Sequence, residues 1–443
     1  MNIQLSDHFT YPRLLRFVFP SIMMMIFTSI YGVVDGLFVS NFVGKTPFAA
    51  INLIMPFLML FGAIGFMLGT GGSAIVAKYL GEGNRERAVS VFSMLTLVTL
   101  ICGICFSALG LFLLRPIAEL LGAEGEMLEH CVSYGRIILL ALSAFMLQNL
   151  FHSFLVTAER PQFGLYVTVA AGVTNIVLDF LFISVFSWGV VGAAAATALS
   201  QCVGGIVPLC YFLNRKNKSL LRLSKPKFDG GALLHTCTNG SSELMTNLSL
   251  SLANMLYNFQ LMRMVGEDGI ASFGVVMYVS FIFITVFIGY SIGSAPIISY
   301  HFGAKNHSEL KNLFRKSIVI MSIFGALMVA LAELLASPLS AFFVGYDAEL
   351  LALTTRAVAL YSLSYLVLGV NIFASAFFTA LGNGGVSALL SFLRLFVFQV
   401  ITLIVMPIWM GVDGIWLSIV AAELIALGVS TFFFLQQRKK YGY

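Results

Sequence analysis

Charge is what this chain lacks. Of its 443 residues only 10% are charged against 59% hydrophobic, and the mean hydropathy is +0.95. A soluble domain carries about a quarter charged residues. This chain cannot shield so much apolar surface by folding on itself, so its solvent is largely lipid. The net charge of +5 is small and argues against a nucleic-acid partner. Cysteine is sparse and unpatterned. Cys102 and Cys105 form a CxxC, but within the apolar stretch LTLICGICFSALGLF, where they read as small residues at helix contacts. Cys131, Cys202, Cys210 and Cys237 are scattered and imply no disulfide framework. Catalytic signatures are missing as well. There is no HExxH, no rhomboid-type GxSG and no GxGD, since Asp179 sits in VLDF; VGKT at 43–46 has Val39 where a P-loop needs its first glycine. The reading is no enzyme and no cofactor. The first residues, MNIQLSDHFTYPRLLRF, lack an apolar core with a cleavage site and read as a cytoplasmic lead-in that stays on the protein.

What is there is hydrocarbon in repeated lengths. Apolar stretches of about 20 residues, enough to span a bilayer, fall near 17–41, 50–76, 92–114, 133–156, 163–186, 193–213, 236–261, 270–299, 316–340, 356–380, 387–409 and 415–436. That predicts twelve spans, all helical, because backbone groups in lipid need partners within their own segment. The short alternating strands of a membrane barrel are absent. With the N-terminus inside, the inner segments collect 19 of the 25 Lys and Arg residues, while the outer loops gather acids such as Glu119, Glu129, Glu267 and Asp413. Both termini are therefore expected in the cytoplasm.

The chain also resembles itself. GTGGSAIVAKYLGEGN matches SIGSAPIISYHFGAKN, and NLFHSFLVTA matches NIFASAFFTA, at one offset of 222 residues. Identities at that offset include Gly81/Gly303, Asn84/Asn306, Pro116/Pro338, Asn149/Asn371 and Gly189/Gly411. Six spans per half is an even number, so both halves insert the same way up as a parallel repeat. The expected organisation is an N-lobe over 1–214, a basic cytoplasmic linker over 215–231 and a C-lobe over 232–443. The fold class is an all-α membrane protein with two pseudo-symmetric six-helix lobes. A self-contained bundle of this kind fits a monomer in contact with membrane lipids.

Charges inside the spans mark where function lies, since a carboxylate at mid-bilayer costs roughly 2.5–3.5 kcal/mol on insertion scales. Thr168, Gly172, Asn175 and Asp179 fall within about 60° of one helix face, and Thr28, Tyr31 and Asp35 within a similar arc. Asp35 lies 19 residues after Arg16, and Asp179 lies 19 after Arg160, which puts both acids at similar depth. Two carboxylates facing one apolar cavity repel when both are ionised. Such a pair holds a proton near neutral pH, or coordinates Na⁺ together with Asn175 and backbone carbonyls; no other metal is expected. At the repeat offset Asp35, Asn175 and Asp179 become Tyr257, Val397 and Ile401, as expected of residues kept for coupling rather than packing. Glu243, Asn247, Ser251, Asn254 and Asn258 fall within about 80° on the seventh span. They line a cavity or hold the lobe together by hydrogen bonds. Gln148 and Tyr31 are further cavity candidates, and Glu423 and Arg394 are expected to pair.

At these residues the sequence resembles the MATE family, the multidrug and toxic compound extrusion transporters, over nearly the whole chain. YGVVDGLFVS is similar to the family's first span, with Asp35 at the carboxylate position. NIVLDFLFI resembles its fifth-span motif, with Asn175 and Asp179 at ion-binding positions. Many members follow that aspartate with proline; here Phe180 follows. Glu243 falls where some branches carry a glutamate used in cation coupling, and the N-lobe acids resemble the bacterial DinF-like branch. The resemblance implies a bacterial inner-membrane antiporter exporting amphipathic, often cationic drugs or dyes in exchange for H⁺ or Na⁺ by alternating access. A flippase for lipid-linked saccharides is the alternative. It would want cavity arginines for pyrophosphate, and Arg394 is the one basic residue well inside a predicted span.

Overall fold

The structure, a computed structural model, describes residues 3–214, 216 and 219–443, with the side chains of 40, 41 and 45 left aside. Of the cations assigned to the inner segments, Arg215 and Lys218 lie outside the described residues, as do Met1 and Asn2. The helices run α1 Tyr11–Phe38, α2 Lys45–Gly81, α3 Arg85–Leu120, α4 Gly125–Leu140, α5 Leu142–Thr157, α6 Pro161–Asp179 and α7 Gly189–Leu213 in the first half. The second half holds α8 Gly230–Met264, α9 Glu267–Gly303, α10 His307–Val344, α11 Ala348–Ser362, α12 Tyr365–Ala380, α13 Gly384–Phe392, α14 Gln399–Met410 and α15 Val412–Tyr441. Wider π-helical turns at Val39–Val43 and Phe180–Val185 extend α1 and α6, and one at Leu393–Phe398 joins α13 to α14.

Among the described residues nine helices are long and apolar enough to cross a membrane, counting α13 through α14 as one. Two further spans are bent where the apolar pattern predicts unbroken helices. α4 meets α5 at 56°, and α11 meets α12 at 49°. At the break before α5, Ser107 of α3 donates to the Leu139 carbonyl at 2.7 Å. Both bends fall at matching points of the repeat, so they belong to the duplicated unit. The remaining span, the seventh in chain order, is α8, which has ample length at 35 residues, but Asn239, Glu243, Asn247 and Asn254 keep it from being apolar.

Helix starts restate the internal repeat. α2 and α9 begin 222 residues apart, as do α3 and α10; α4 and α11, α6 and α13, and α7 and α15 begin 223 apart. Asn84 and Asn306 perform the same local job. Each sits just before its helix and accepts the backbone N–H three residues on, from Arg87 and Glu309 respectively, at 3.1 Å. That satisfies one of the orphan donors of a helix start.

The lobes meet through α2 against α8 and α9, and through α1 against α9. Lipid supplies no hydrophobic drive for helix association, so close backbone packing over small residues does the work. A Cβ on Gly81 would lie 2.0 Å from the Tyr300 carbonyl oxygen, one on Gly303 2.1 Å from that of Lys78, and one on Gly240 2.0 Å from that of Met67. Gly240 meets α2 well inside its length, while Gly81 and Gly303 close α2 and α9 at the end of the molecule that carries the termini. The chain ends reinforce the closure there. The Leu5 N–H donates to Glu159 Oε1 at 2.6 Å, while the Phe9 N–H donates to Glu309 Oε1 at 2.9 Å and Lys316 donates to the Phe9 carbonyl at 2.6 Å. The lead-in thus ties the N-lobe to the first turn of α10. At the opposite end α8 is loosely covered, with Met255, Phe259 and Met262 all more than half exposed.

Candidate functional site

The site is built where α1 and α6 run side by side. Asp35 lies three residues before the end of α1, and Asp179 closes α6. Beyond each, the helix widens into a π turn. Such bulges recur at functional sites, and here the turn at Phe180–Val185 interrupts the α-helical ladder with no proline in it. Asn175 is one turn before Asp179; both are buried, Asp179 completely.

The two carboxyl groups lie close enough to act on each other. Ionised carboxylates only accept, so as a pair of anions they have nothing to share. Asp35 Oδ1, Asn175 Oδ1 and both oxygens of Asp179 are buried with no hydrogen-bond partner among the described residues. Buried polar groups are ordinarily satisfied, and leaving one unmet costs about 1–3 kcal/mol. A cluster of unmet acceptors is what a bound positive species would satisfy. A proton between the carboxyls supplies the missing donor. A small cation among carboxylate, amide and hydroxyl oxygens satisfies the same atoms.

Three neighbours escaped the sequence reading. Tyr134 of α4, completely buried, lies in the field of both acids and faces Thr197 of α7, whose buried Oγ1 has no partner. Tyr278 of α9 reaches across from the C-lobe toward Asp35. A Cβ on Gly36 would sit 3.7 Å from its hydroxyl. Thr197 lies in AAAATALS, a lone hydroxyl in an alanine run, and that contrast was the available signal. Tyr134 and Tyr278 gave none, because their roles follow from inter-helix packing.

The other expected positions divide. Tyr31 and Gln148 come together inside the N-lobe. Tyr31 packs on Gly172, and Gln148, 3% exposed, packs on Gly204. On α8, Asn247 donates to the Glu243 carbonyl at 2.8 Å and Ser251 to the Asn247 carbonyl at 3.0 Å. Asn254 and Asn258 are exposed. The stripe bonds back to its own helix instead of gluing helices together. Glu243 lies within the field of Arg394. The expected pair of Arg394 and Glu423 forms at 3.9 Å, and Glu423 also accepts from Asn371 at 2.7 Å. Among the described residues no three His, Cys, Asp or Glu side chains cluster as a metal site would require.

Twelve spans in two repeated lobes, joined at one end and holding a buried acid pair in one lobe, define a membrane transporter rather than an enzyme. The MatE family model matches residues 20–181 and again 244–405, so the chain belongs to the MatE family. It is 24% identical to the multidrug export protein MepA of Staphylococcus saprophyticus, over 93% of this chain and 90% of that one. MepA of Staphylococcus haemolyticus is 23% identical over 97% and 94%. Among solved structures, the outward-facing conformation of a multidrug resistance MATE family transporter superposes with a TM-score of 0.93 at 24% identity, covering 99% of this chain and 98% of that one. A MATE in the straight conformation gives 0.91 at 23% identity over 97% and 96%.

Proposed function

We propose that this protein is a secondary active multidrug exporter of a bacterial inner membrane, with both termini cytoplasmic. It exchanges amphipathic, often cationic compounds for an inward-moving ion by alternating access. The N-lobe (1–214) and C-lobe (232–443) are the moving bodies. The observation that carries this reading is the pair of Asp179, completely buried, and Asp35, half-buried, with Asp35 Oδ1 and both oxygens of Asp179 lacking a partner among the described residues. The family, the MepA relatives and the closure at the end bearing the termini support it.

H⁺ is the coupling ion of this reading, because a proton held between two neighbouring carboxyl groups supplies the donor that their unmet oxygens lack. Drug enters from the cytoplasmic side while that side is open, and the lobes rock to the arrangement seen here. A proton from outside then settles on the acid pair, and neutralisation repacks α1 against α6 and expels the drug. An ion shifts such an equilibrium only by its differential affinity for the two states, about 1.4 kcal/mol for each factor of ten. Na⁺ is the second reading, and it rests on Asn175 Oδ1 and Thr197 Oγ1, neutral acceptors that a shared proton leaves unmet. The saccharide-lipid flippase is disfavoured because Arg394, only 10% exposed, is already held against Glu423.

The test is dye efflux from proteoliposomes under an imposed pH gradient and then an imposed Na⁺ gradient, for the wild type and Asp35→Asn. Efflux driven by the pH gradient alone and lost in the variant supports H⁺ antiport, and a Na⁺ requirement moves the reading to Na⁺. Efflux that survives Asp35→Asn under both gradients overturns the acid-pair assignment and transfers coupling to Glu243.

A further inference from the structure

Transport leaves unused a basic hollow of about 540 Å³ at the end that carries the termini, between the start of α3 and the linker. Arg85, Arg222, Lys225 and Lys227 place four cations around it against the single carboxylate of Glu86, and Ser90 adds a hydroxyl. The hollow is held in shape. Arg85 donates to the carbonyls of Leu220 and Ser219, each at 3.2 Å, and the Ser224 N–H donates to Ser93 Oγ at 3.0 Å. These bonds fasten the linker to α3. The nearby acid Asp229 does not neutralise the hollow. It accepts from Ala232 N–H at 3.0 Å and from Arg87 at 3.2 Å. The helix N–H first, and then Arg87, keep its carboxyl below the usual range against a modest burial effect. Among the described residues no acid pairs with Arg222, Lys225 or Lys227.

The face of α3 that floors the hollow continues outward as apolar surface. At 100° per residue Ser90, Leu97, Ile101 and Ile104 fall within about 60°. Leu97, Ile101 and Ile104 are 44%, 50% and 58% exposed. In a bilayer that stripe touches acyl chains. A phosphate-sized anion site at its foot has the two-part chemistry of one ligand class, a negatively charged headgroup with lipid tails. Basic pockets beside membrane helices on the cytoplasmic side take such headgroups.

We propose that this hollow is a binding site for the phosphate headgroup of an anionic phospholipid, whose acyl chains lie along Leu97, Ile101 and Ile104 of α3. The lipid thereby bridges the N-lobe to the linker. The site is independent of the ion and drug assignments above.

The test is native mass spectrometry of the full chain in detergent. It is titrated with phosphatidylglycerol and with phosphatidylcholine of the same acyl chains. The wild type is expected to retain phosphatidylglycerol at least roughly tenfold more tightly. The exposed triple variant Arg222→Gln, Lys225→Gln, Lys227→Gln is expected to lose that preference. The equally charged control Lys305→Gln, Lys439→Gln, Lys440→Gln, at the same end but away from the hollow, is expected to keep it. Equal retention of both lipids by the wild type overturns the proposal. So does an equal loss in both triple variants, which marks general surface attraction. Displacement of phosphatidylglycerol by millimolar inorganic phosphate assigns the hollow to a soluble anion and overturns the lipid assignment.

Discussion

Where one lobe carries Asp35, the other carries Tyr257, and the two side chains live in opposite circumstances. Tyr257 is 1% exposed and its hydroxyl bonds Ser418 at 2.7 Å. Close by, the buried acid of the C-lobe has partners of its own. Asn371 donates to Glu423 and accepts from Ser430 at 3.0 Å, and Glu423 faces Arg394. In the N-lobe, Asp35, Asn175, Asp179 and Thr197 all keep buried oxygens without a partner. The difference shows in what each lobe puts at one repeat position. Arg394 corresponds to Gly172, where a Cβ would meet the Tyr31 ring at 2.9 Å. One lobe brings its own cation, and the other makes room for an aromatic ring and leaves its acids waiting. A duplicated fold thus pairs the buried acid of one half with a cation of its own and leaves the acids of the other half unpaired.

The largest expected effect separates the lobes by function. Asp179→Asn should abolish gradient-driven dye efflux, lowering it by about a hundredfold or more. It should leave the melting temperature in detergent unchanged or raised, since a buried carboxylate without a donor is removed. A variant that unfolds instead would make the acid pair structural. The converse holds in the C-lobe. Glu423→Ala strands Arg394 in a buried site, and breaking a buried pair costs about 3–5 kcal/mol. Its unfolding midpoint should fall, and the apolar double variant Arg394→Met, Glu423→Leu should recover most of the loss. A double variant as unstable as the single one would mean the network does more than pair charges.

A third change acts on the seam between the lobes. Gly303→Val puts a side chain against the Lys78 carbonyl, which as backbone cannot yield cheaply, so overpacking of about 1–3 kcal/mol is expected. Spin labels at Glu86→Cys and Lys311→Cys, with the exposed Cys105 and Cys210 replaced, should report a longer mean distance than in the parent. An unchanged distance would show that the glycine contacts do not hold that end shut. The smallest effect is Tyr257→Phe. It removes one hydrogen bond, worth about 1 kcal/mol, and efflux should be untouched. Loss of efflux there would erase the division between the two lobes.

Much of this was legible in the sequence for definite physical reasons. Lipid forces long apolar helices, so the spans announced themselves. The duplication preserved Gly81/Gly303 and Asn84/Asn306 because a backbone contact and a helix cap tolerate little else. Asp35 and Asp179 stood out because a charge in hydrocarbon is expensive. The bends at Ala141 and Leu363 were hidden, since no proline marks them and helix-to-helix bonds such as Ser107 to Leu139 set them. Thr197, Tyr134 and Tyr278 were hidden for a related reason. Their part in the site comes from five helices meeting, and no spacing along one helix encodes that. The polar stripe on α8 was read correctly as a face, but its hydrogen bonding back onto α8 was visible only in three dimensions.

The most direct test of the central claim is the number of protons released when a lipophilic cationic dye binds the detergent-purified protein in weak buffer near neutral pH. If the acid pair is where ion and drug compete, the wild type releases about one proton per dye bound. Asp35→Asn and Asp179→Asn then release none, and Glu243→Gln releases as much as the wild type. Undiminished release from both aspartate variants would contradict the account.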